Sequence, residues 1–264
     1  MVVLCHTIPY SHILCFINSP GADSGINFPG GIPVKKYILR FWPLYLFVVV
    51  LMLLVLVSGN HMVTTLAEMQ PIYRKQVIII DPGHGGEDGG AVSCTGAYES
   101  NINLEIALRL NDLCHLMGFE TLMVRTTDVS IYTQGTTLAA KKASDLKNRV
   151  KMVNNTTNAL LISIHQNTYS DSRYTGAQVF YANTNGSFEL AQKLQTQITT
   201  IDANNHRRVK QADHVYLMKH IEKTGILVEC GFLSNPIEEA KLRSDAYQKM
   251  LCAAIVTVLS GGST

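Results

Sequence analysis

The sequence has almost no net charge and no closely spaced pair of cysteines, and each absence excludes a class of protein. Its 22 basic and 20 acidic residues leave a formal charge of +2, too little for a polyanion-binding surface. No basic stretch is interleaved with aromatic residues, as it is in nucleic-acid-binding modules. The six cysteines include no Cys-x-x-Cys pair, which argues against a zinc ribbon and a thioredoxin-type redox site.

One long hydrophobic run stands out near the N terminus. It extends without a charge from Phe41 to Val57, which at about 1.5 Å per residue is roughly 25 Å of helix. Extension to residues 37–58 reaches the hydrocarbon thickness of about 30 Å, so we predict a transmembrane anchor there. A buried helix and a cleaved signal peptide are the alternatives. The run is long for a signal core, and no Ala-x-Ala site follows it.

The charges on either side of the run indicate its orientation. Lys35, Lys36 and Arg40 precede it, whereas the first titratable group after it is His61. Because basic residues are retained on the cytoplasmic side, we predict a single-pass protein of the cell membrane. Its N terminus is predicted to lie in the cytoplasm, and the residues after about position 60 are predicted to lie outside.

The remaining organisation follows from composition and periodicity. We predict a disordered cytoplasmic tail over residues 1–36, a linker over residues 59–74 and one folded domain over residues 75–264. The predicted strands are 76–80, 119–124, 159–165, 177–181 and 226–229, and the predicted helices are 101–117, 138–153, 187–199 and 246–259. This alternation is typical of a single α/β domain with a twisted, mostly parallel or mixed sheet flanked by helices.

Polar residues follow three of the predicted strands. His84, His165 and Glu229 end strands or begin the loops after them, and Glu99 begins the first helix. Strand carboxyl ends meet in one crevice of an open α/β sheet, so we expect these side chains to converge. Two imidazoles and one carboxylate are a common zinc set, and a second carboxylate could move protons in a hydrolase. The chemistry alone does not decide which glutamate binds the metal.

Each of these residues also has a purely structural explanation. The glycine-rich turn at His84 could cradle phosphate, although no Lys-Ser or Lys-Thr follows it. His165 could be a core histidine, and Glu99 could simply favour the helix N terminus. Glu229 is harder to explain in this way, because a buried carboxylate costs free energy unless it is paired or metal-bound.

Four segments resemble, in order and interval, the motifs of the zinc-dependent N-acetylmuramoyl-L-alanine amidase family of the amidase_3 type. They are Ile78–Ala91, Glu99–Leu110, Ser163–Asn167 and Leu227–Asn235, and the resemblance extends from about residue 75 to the C terminus. It implies one Zn²⁺ bound by His84, Glu99 and His165, with Glu229 as the catalytic carboxylate. The implied reaction is hydrolysis of the amide between the lactyl group of N-acetylmuramic acid and L-alanine in peptidoglycan.

Three further segments resemble the sporulation- and germination-specific, CwlD-type branch of this family. They are Lys141–Asn155, Gly176–Ala182 and His214–His220. The resemblance implies a role in spore-cortex maturation through muramic lactam formation, and it leaves any activator or lipoprotein partner unidentified. A zinc peptidase acting on wall peptides and a non-catalytic wall-binding protein are the alternative functions.

Several other polar residues have both a functional and a structural explanation. Asn167 is a candidate for substrate binding or for orienting His165, and it could also be a turn asparagine. His214 is a candidate for the glycan groove, against a plain surface or core histidine. We expect Arg125 to be part of a structural turn and Arg149 to be solvated or ion-paired. Cys230 should point away from the site, because side chains alternate along a strand.

Overall fold

The computed structural model describes residues 41–55 and 75–261. These two parts belong to separate compact units and are described separately. Residues 41–55 form a helix whose side chains are all exposed. The predicted tail at 1–36 and the predicted linker at 59–74 lie outside the described residues.

The helix at residues 41–55 bears on the predicted anchor. Within the described residues, no helix is long and apolar enough to cross a membrane. The two ends of the predicted anchor, residues 37–40 and 56–58, lie outside the described residues. The transmembrane prediction is therefore not supported by the structure.

The domain that begins at residue 75 contains a six-stranded mixed sheet. Its strands are β1 (Val77–Pro82), β2 (Glu120–Met123), β3 (Ala159–Asn167), β4 (Gln178–Tyr181), β5 (Lys210–Gln211) and β6 (Thr224–Phe232). They lie in the order β2-β1-β3-β6-β4-β5. Strands β2, β1, β3 and β6 are mutually parallel, β4 is antiparallel to β6, and β5 is parallel to β4. The predicted single α/β domain is confirmed.

Helices cover both faces of this sheet. They are α1 (Glu99–Leu116), α2 (Leu138–Asn155), α3 (Ser187–Ile201), α4 (Tyr216–His220), α5 (Pro236–Leu242) and α6 (Asp245–Leu259). Side chains of α1, α3 and α6 pack with one face of the sheet in the larger hydrophobic cluster. Side chains of α2 and α4 pack on the opposite face in a smaller cluster. Both faces of the central strands are therefore covered by helices and shielded from solvent.

Strand β1 shows why the sequence reads as a continuous apolar run at this point. Ile78 and Ile80 belong to the larger cluster and Ile79 to the smaller one, and all three are fully buried. Alternate side chains of a strand point to opposite faces, so a strand covered by helices on both sides needs apolar residues throughout.

Three short elements were not predicted: β5, α4 and α5. Helix α5 had a readable signal, because Asn235 caps it by accepting hydrogen bonds from the backbone amides of Ile237 and Glu238, with Pro236 in the first turn. This is the cap-then-proline order favoured at helix starts. Helix α1 begins at Glu99, two residues before the predicted start, which places that carboxylate in the first turn.

Candidate metal centre

The loop that follows β1 carries His84 in the left-handed backbone region, at φ 61°. The loop remains fixed to the sheet, because the amide of Gly83 donates to the carbonyl of Ile164 on β3 at 3.0 Å. The imidazole of His165 lies directly against Gly83, where a Cβ atom would stand only 2.1 Å from Cε1 of that ring. The approach of the two histidines thus depends on glycine at position 83.

Glu99 links the two histidines. Its Oε2 lies 3.3 Å from Nε2 of His84, and its Oε1 lies 3.0 Å from Nδ1 of His165. The carboxylate is buried and held in place, because it accepts hydrogen bonds from the amides of Ala91 and Gln166. Burial alone would raise the pKa of Glu99, but the hydrogen bonds and charges of the two histidines hold it well below its usual range.

These three residues form a group with the composition and spacing of a metal site. Their ligand atoms all lie within 4.8 Å of one another, and the two imidazole rings meet edge to face at 5.1 Å. Ligands about 2.0–2.2 Å from a tetrahedral zinc ion lie roughly 3.3–3.6 Å apart, close to the contacts that Glu99 makes. Two imidazoles and a carboxylate are donors that zinc accepts, so the residues present fit this ion.

The outer ring nitrogen of His84 is held by a second carboxylate. Nδ1 lies 2.9 Å from Oδ2 of Asp88, which leaves Nε2 facing Glu99. Such outer partners fix the orientation and raise the basicity of metal-binding histidines. Burial alone would lower the pKa of His84, but the hydrogen bonds that its ring donates to Asp88 and Glu99, and their charges, raise it to about 9. The two carboxylates therefore make this position favourable for positive charge.

Replacing Gly83 with alanine is expected to empty this site without unfolding the domain. The added methyl group would occupy the volume of the His165 ring, and the ring would have to rotate away from Glu99. We expect bound metal, measured by elemental analysis of the purified protein, to fall at least tenfold. Gly96→Ala is the control for backbone strain outside the metal group, because its φ of 91° strains an alanine while a Cβ there meets no atom within 4 Å. Retention of stoichiometric metal by Gly83→Ala would contradict the geometry described here.

Glu229 stands beside this group on the neighbouring strand. It is the register partner of His165 in the parallel β3–β6 pair, so the two side chains emerge on the same face of the sheet. Its Oε2 is buried and has no hydrogen-bond partner among the described residues. Burial, reinforced by the charge of Glu99, raises the pKa of Glu229 to about 7 against the opposing effect of the histidines. A carboxyl group with that pKa can both accept and donate a proton near neutrality.

Two buried arginines donate hydrogen bonds to the loop that follows β1 and carries His84, which we call the metal loop. The sequence pattern did not reveal these contacts. Arg125 donates to the carbonyls of Pro82 and Gly83, both at 3.0 Å. Arg149 donates to the carbonyls of Pro82 at 3.0 Å and His84 at 2.8 Å. Of the two alternatives predicted for Arg149, solvated or ion-paired, the structure shows the ion pair. The burial of both guanidiniums and their contacts with the loop carbonyls were not predicted.

Arg149 is neutralised by two carboxylates beneath the loop. It pairs with Asp81 at the end of β1 and with Asp145 one turn earlier on α2. Ser163 also donates to Asp81, at 2.7 Å. Burial would raise the pKa of Asp81, but Arg149 and Ser163 lower it below its usual value. The i, i+4 spacing of Asp145, Arg149 and the buried Val153 on one helix face was a readable signal of this arrangement.

The remaining predicted site residues are not part of the metal group. Asn167 ends β3, and its backbone carbonyl accepts from the amide of Leu233 at 2.8 Å; its side chain makes no hydrogen bond within the described part of the chain. His214 is exposed and meets the edge of Phe180 at 6.1 Å. Cys230 is fully buried and burial raises its pKa well above the usual value, which is unsuited to a nucleophilic thiolate.

The fold and this group together define a class. Two histidines and one glutamate lie at or just after the carboxyl ends of parallel strands, and a second glutamate lies in the first turn of α1. This arrangement is typical of metal-dependent hydrolases. The comparison with known families identifies the class more closely. Residues 78–260 match the family described as N-acetylmuramoyl-L-alanine amidase (Amidase_3). The chain belongs to this family of enzymes, which confirms the resemblance found in its motifs.

Similar proteins agree with this membership. The germination-specific N-acetylmuramoyl-L-alanine amidase of Bacillus subtilis (strain 168) is 37% identical over 182 residues, which cover 68% of this chain and 76% of that protein. The CwlD amidase of Clostridioides difficile, solved in complex with the GerS lipoprotein, superposes with a TM-score of 0.68 at 35% identity, covering 71% of this chain and 98% of that one. An N-acetylmuramoyl-L-alanine amidase of Clostridium difficile 630 has a TM-score of 0.61 at 34% identity over 70% of this chain and 95% of its own.

Proposed function

We propose that this chain is a zinc-dependent amidase that hydrolyses the bond between the lactyl carbonyl of N-acetylmuramic acid and L-alanine in peptidoglycan. The observation that carries the proposal is the convergence of His84, Glu99 and His165, with ligand atoms within 4.8 Å of one another, beside Glu229 and its buried Oε2. These three residues would hold the ion. When bound, zinc supplies Lewis-acid chemistry toward the amide carbonyl and the attacking water.

The residues of the chain have separate tasks in this reaction. Glu229 takes a proton from the attacking water at its unpartnered Oε2 and returns it to the departing amine of L-alanine. Its pKa of about 7 suits both transfers at neutral pH. Asp88 orients the imidazole of His84 through the hydrogen bond to Nδ1. Glu99 keeps its charge because both histidines face it.

The biological setting belongs to the same proposal. The similarity to a germination-specific amidase supports a role in spore-cortex maturation. The C. difficile neighbour was solved with a lipoprotein, which supports an extracytoplasmic lipoprotein as a partner class for this chain. Peptidoglycan lies outside the cytoplasm, so we place the domain that begins at residue 75 there. Attachment to the cell membrane remains a prediction from the hydropathy and flanking charge of residues 35–58.

Zinc dependence is tested by removing one ligand at a time. We expect His84→Ala and His165→Ala to lose bound zinc, measured by elemental analysis, and to lose cleavage of purified peptidoglycan. His115→Ala is the matched control, because His115 is exposed and, among the described residues, its side chain hydrogen-bonds only to Thr121. Full zinc content in both ligand variants, or full activity after exhaustive chelation, would contradict the proposal.

Zinc binding is also expected to displace a proton from His84. The pKa of His84 in the metal-free protein is raised to about 9, so at pH 7 the imidazole carries a proton that the metal must replace. We expect release of about one proton per zinc ion and an affinity that rises with pH up to about pH 9. Calorimetry in buffers of different ionisation enthalpy measures the release. Asp88→Asn removes a hydrogen bond that raises this pKa, and should therefore lower the number of protons released.

A further inference from the structure

A polar cavity opens between the loop after β3 and the segment before β5. Its volume is about 570 Å³, and its walls include Tyr174, Arg207 and the paired side chains of Asp171 and Arg173. We call it the Arg207 cleft. It shares no residue with the metal group, and no step of the proposed reaction has used it.

Arg207 is the distinctive residue of this cleft. Its guanidinium lies over the ring of Phe232 at 4.5 Å and near that of Tyr174 at 5.8 Å. It donates from Nε to the carbonyl of Thr175 at 2.7 Å and from Nη1 to Oε1 of Gln178 at 3.3 Å. These contacts fix the plane of the guanidinium and leave Nη2 without a hydrogen-bond partner within the described residues.

The charge of Arg207 lacks a counter-ion in direct contact. Among the described residues no carboxylate lies within ion-pair distance of it, whereas the exposed Arg173 is paired with Asp171 at 2.7 Å. Glu238 acts on Arg207 only through space, because its carboxylate is occupied by the amide of Gly176 at 2.8 Å and by Lys241 at 3.5 Å. A half-buried guanidinium stacked on aromatic rings, with a free donor, is suited to bind an incoming carboxylate.

The strand register places Gln178, which Arg207 contacts, next to Glu229. Gln178 is the direct partner of Glu229 in the antiparallel β4–β6 pair. Side chains of directly opposed residues emerge on the same face, with Cβ atoms about 4.5–5.5 Å apart. Because Arg207 contacts the amide of Gln178, its guanidinium lies on the order of 10 Å from Glu229. A peptide advances about 3.3–3.6 Å per residue, so the two sites are two or three residues apart along an extended substrate.

We propose that the Arg207 cleft binds a free carboxylate of the stem peptide, one or two residues beyond the L-alanine whose amide bond is cut. This inference rests on the proposed function. Stem peptides are acidic, and a free carboxylate on the second or the third residue would lie at the required reach. Arg207 thereby recognises the peptide side of the substrate and selects it by charge, while the metal group acts on the lactyl amide.

The test compares three soluble muropeptides with the full-length, zinc-loaded chain. One has every carboxylate free, one has the free carboxylate of the second residue converted to carboxamide, and one carries the carboxamide on the third residue. We expect one of the two amidated peptides to lower kcat/KM by about 10–100-fold, the loss typical of one charge-assisted hydrogen bond. The affected peptide identifies the carboxylate that is bound.

Substitutions then assign this preference to Arg207. Arg207→Gln should cleave the free and amidated peptides within about 3-fold of each other. Arg208→Gln, its exposed neighbour, should keep the wild-type ratio. If Arg207→Gln does not fold, Arg207→Lys replaces it and should reduce the ratio several-fold, because a lysine cannot reproduce the planar fork. Equal cleavage of all three peptides by the wild type, or a wild-type ratio in the folded Arg207 variant, would overturn the proposal.

Failure of the amidase function is distinguishable from failure of the cleft. If no muropeptide is cleaved, the proposed function is wrong, and the cleft is tested by affinity alone. Calorimetry on Glu229→Gln with the same three peptides should still give about 10–100-fold weaker binding of one amidated form. Equal affinities in that experiment would overturn the cleft proposal by themselves.

Discussion

Replacing Glu229 with glutamine is expected to reduce hydrolysis of the lactyl–L-alanine amide by about 10²–10⁴-fold, the range attributed to a positioned acid–base group. Glutamine matches the shape of glutamate but can neither take a proton from water nor return it to the amine. The metal group does not include this side chain, so we expect zinc to remain at about one ion per chain. This variant should therefore lose cleavage activity while it keeps its zinc content.

The matched control for this experiment is Glu222→Gln. Glu222 is an exposed glutamate just before β6, and its loss should leave the rate unchanged. A Glu229→Gln protein that still cleaves at the wild-type rate would show that another group moves the proton. Parallel loss of zinc and activity would instead place Glu229 among the ligands, the alternative that residue chemistry alone leaves open.

Replacing Arg149 with methionine is expected to destabilise the domain by about 3–5 kcal/mol, the loss typical of breaking a buried ion pair. The substitution leaves Asp81 buried without its counter-charge and removes two donors from the metal loop. In thermal unfolding this corresponds to roughly 6–20 °C for a domain of this size. Lys151→Met, an exposed position on the same helix, should change the melting temperature little.

The pH dependence identifies Asp81 as the source of that loss. In the wild type Arg149 and Ser163 hold the pKa of Asp81 below its usual value, so the pair contributes stability above about pH 4 that is lost as pH falls. The deficit of Arg149→Met should therefore be largest at neutral pH and shrink in acid. The double variant with Asp81→Asn should recover part of the stability. A deficit independent of both pH and Asp81 would point to lost packing instead.

Much of the site could be predicted from the sequence because its residues sit at positions with strong local signals. His84, His165 and Glu229 interrupt or end apolar strands, and the parallel topology brings strand ends together. The positions of β1 and β3 were equally readable, since a strand buried on both faces is apolar throughout. These features depend on periodicity, which a single sequence contains.

The rest depends on long-range contacts that periodicity does not encode. The two arginines beneath the metal loop lie more than 40 residues along the chain from the carbonyls that they hold, and only the folded chain shows the contacts. The Arg207 cleft is similar, because Gln178 and Glu229 become neighbours only through an antiparallel pairing. The short elements β5 and α4 contain too few residues to show a period.

The most direct test is mass spectrometry of purified peptidoglycan digested with the full-length chain, with and without zinc. We expect zinc-dependent release of intact stem peptides with a free L-alanine amino group, and glycan strands that retain the lactyl carboxylate. Shortened peptides still attached to the glycan would indicate a peptidase. An unchanged digest with zinc bound would indicate a wall-binding protein, and either result would contradict the proposed amidase.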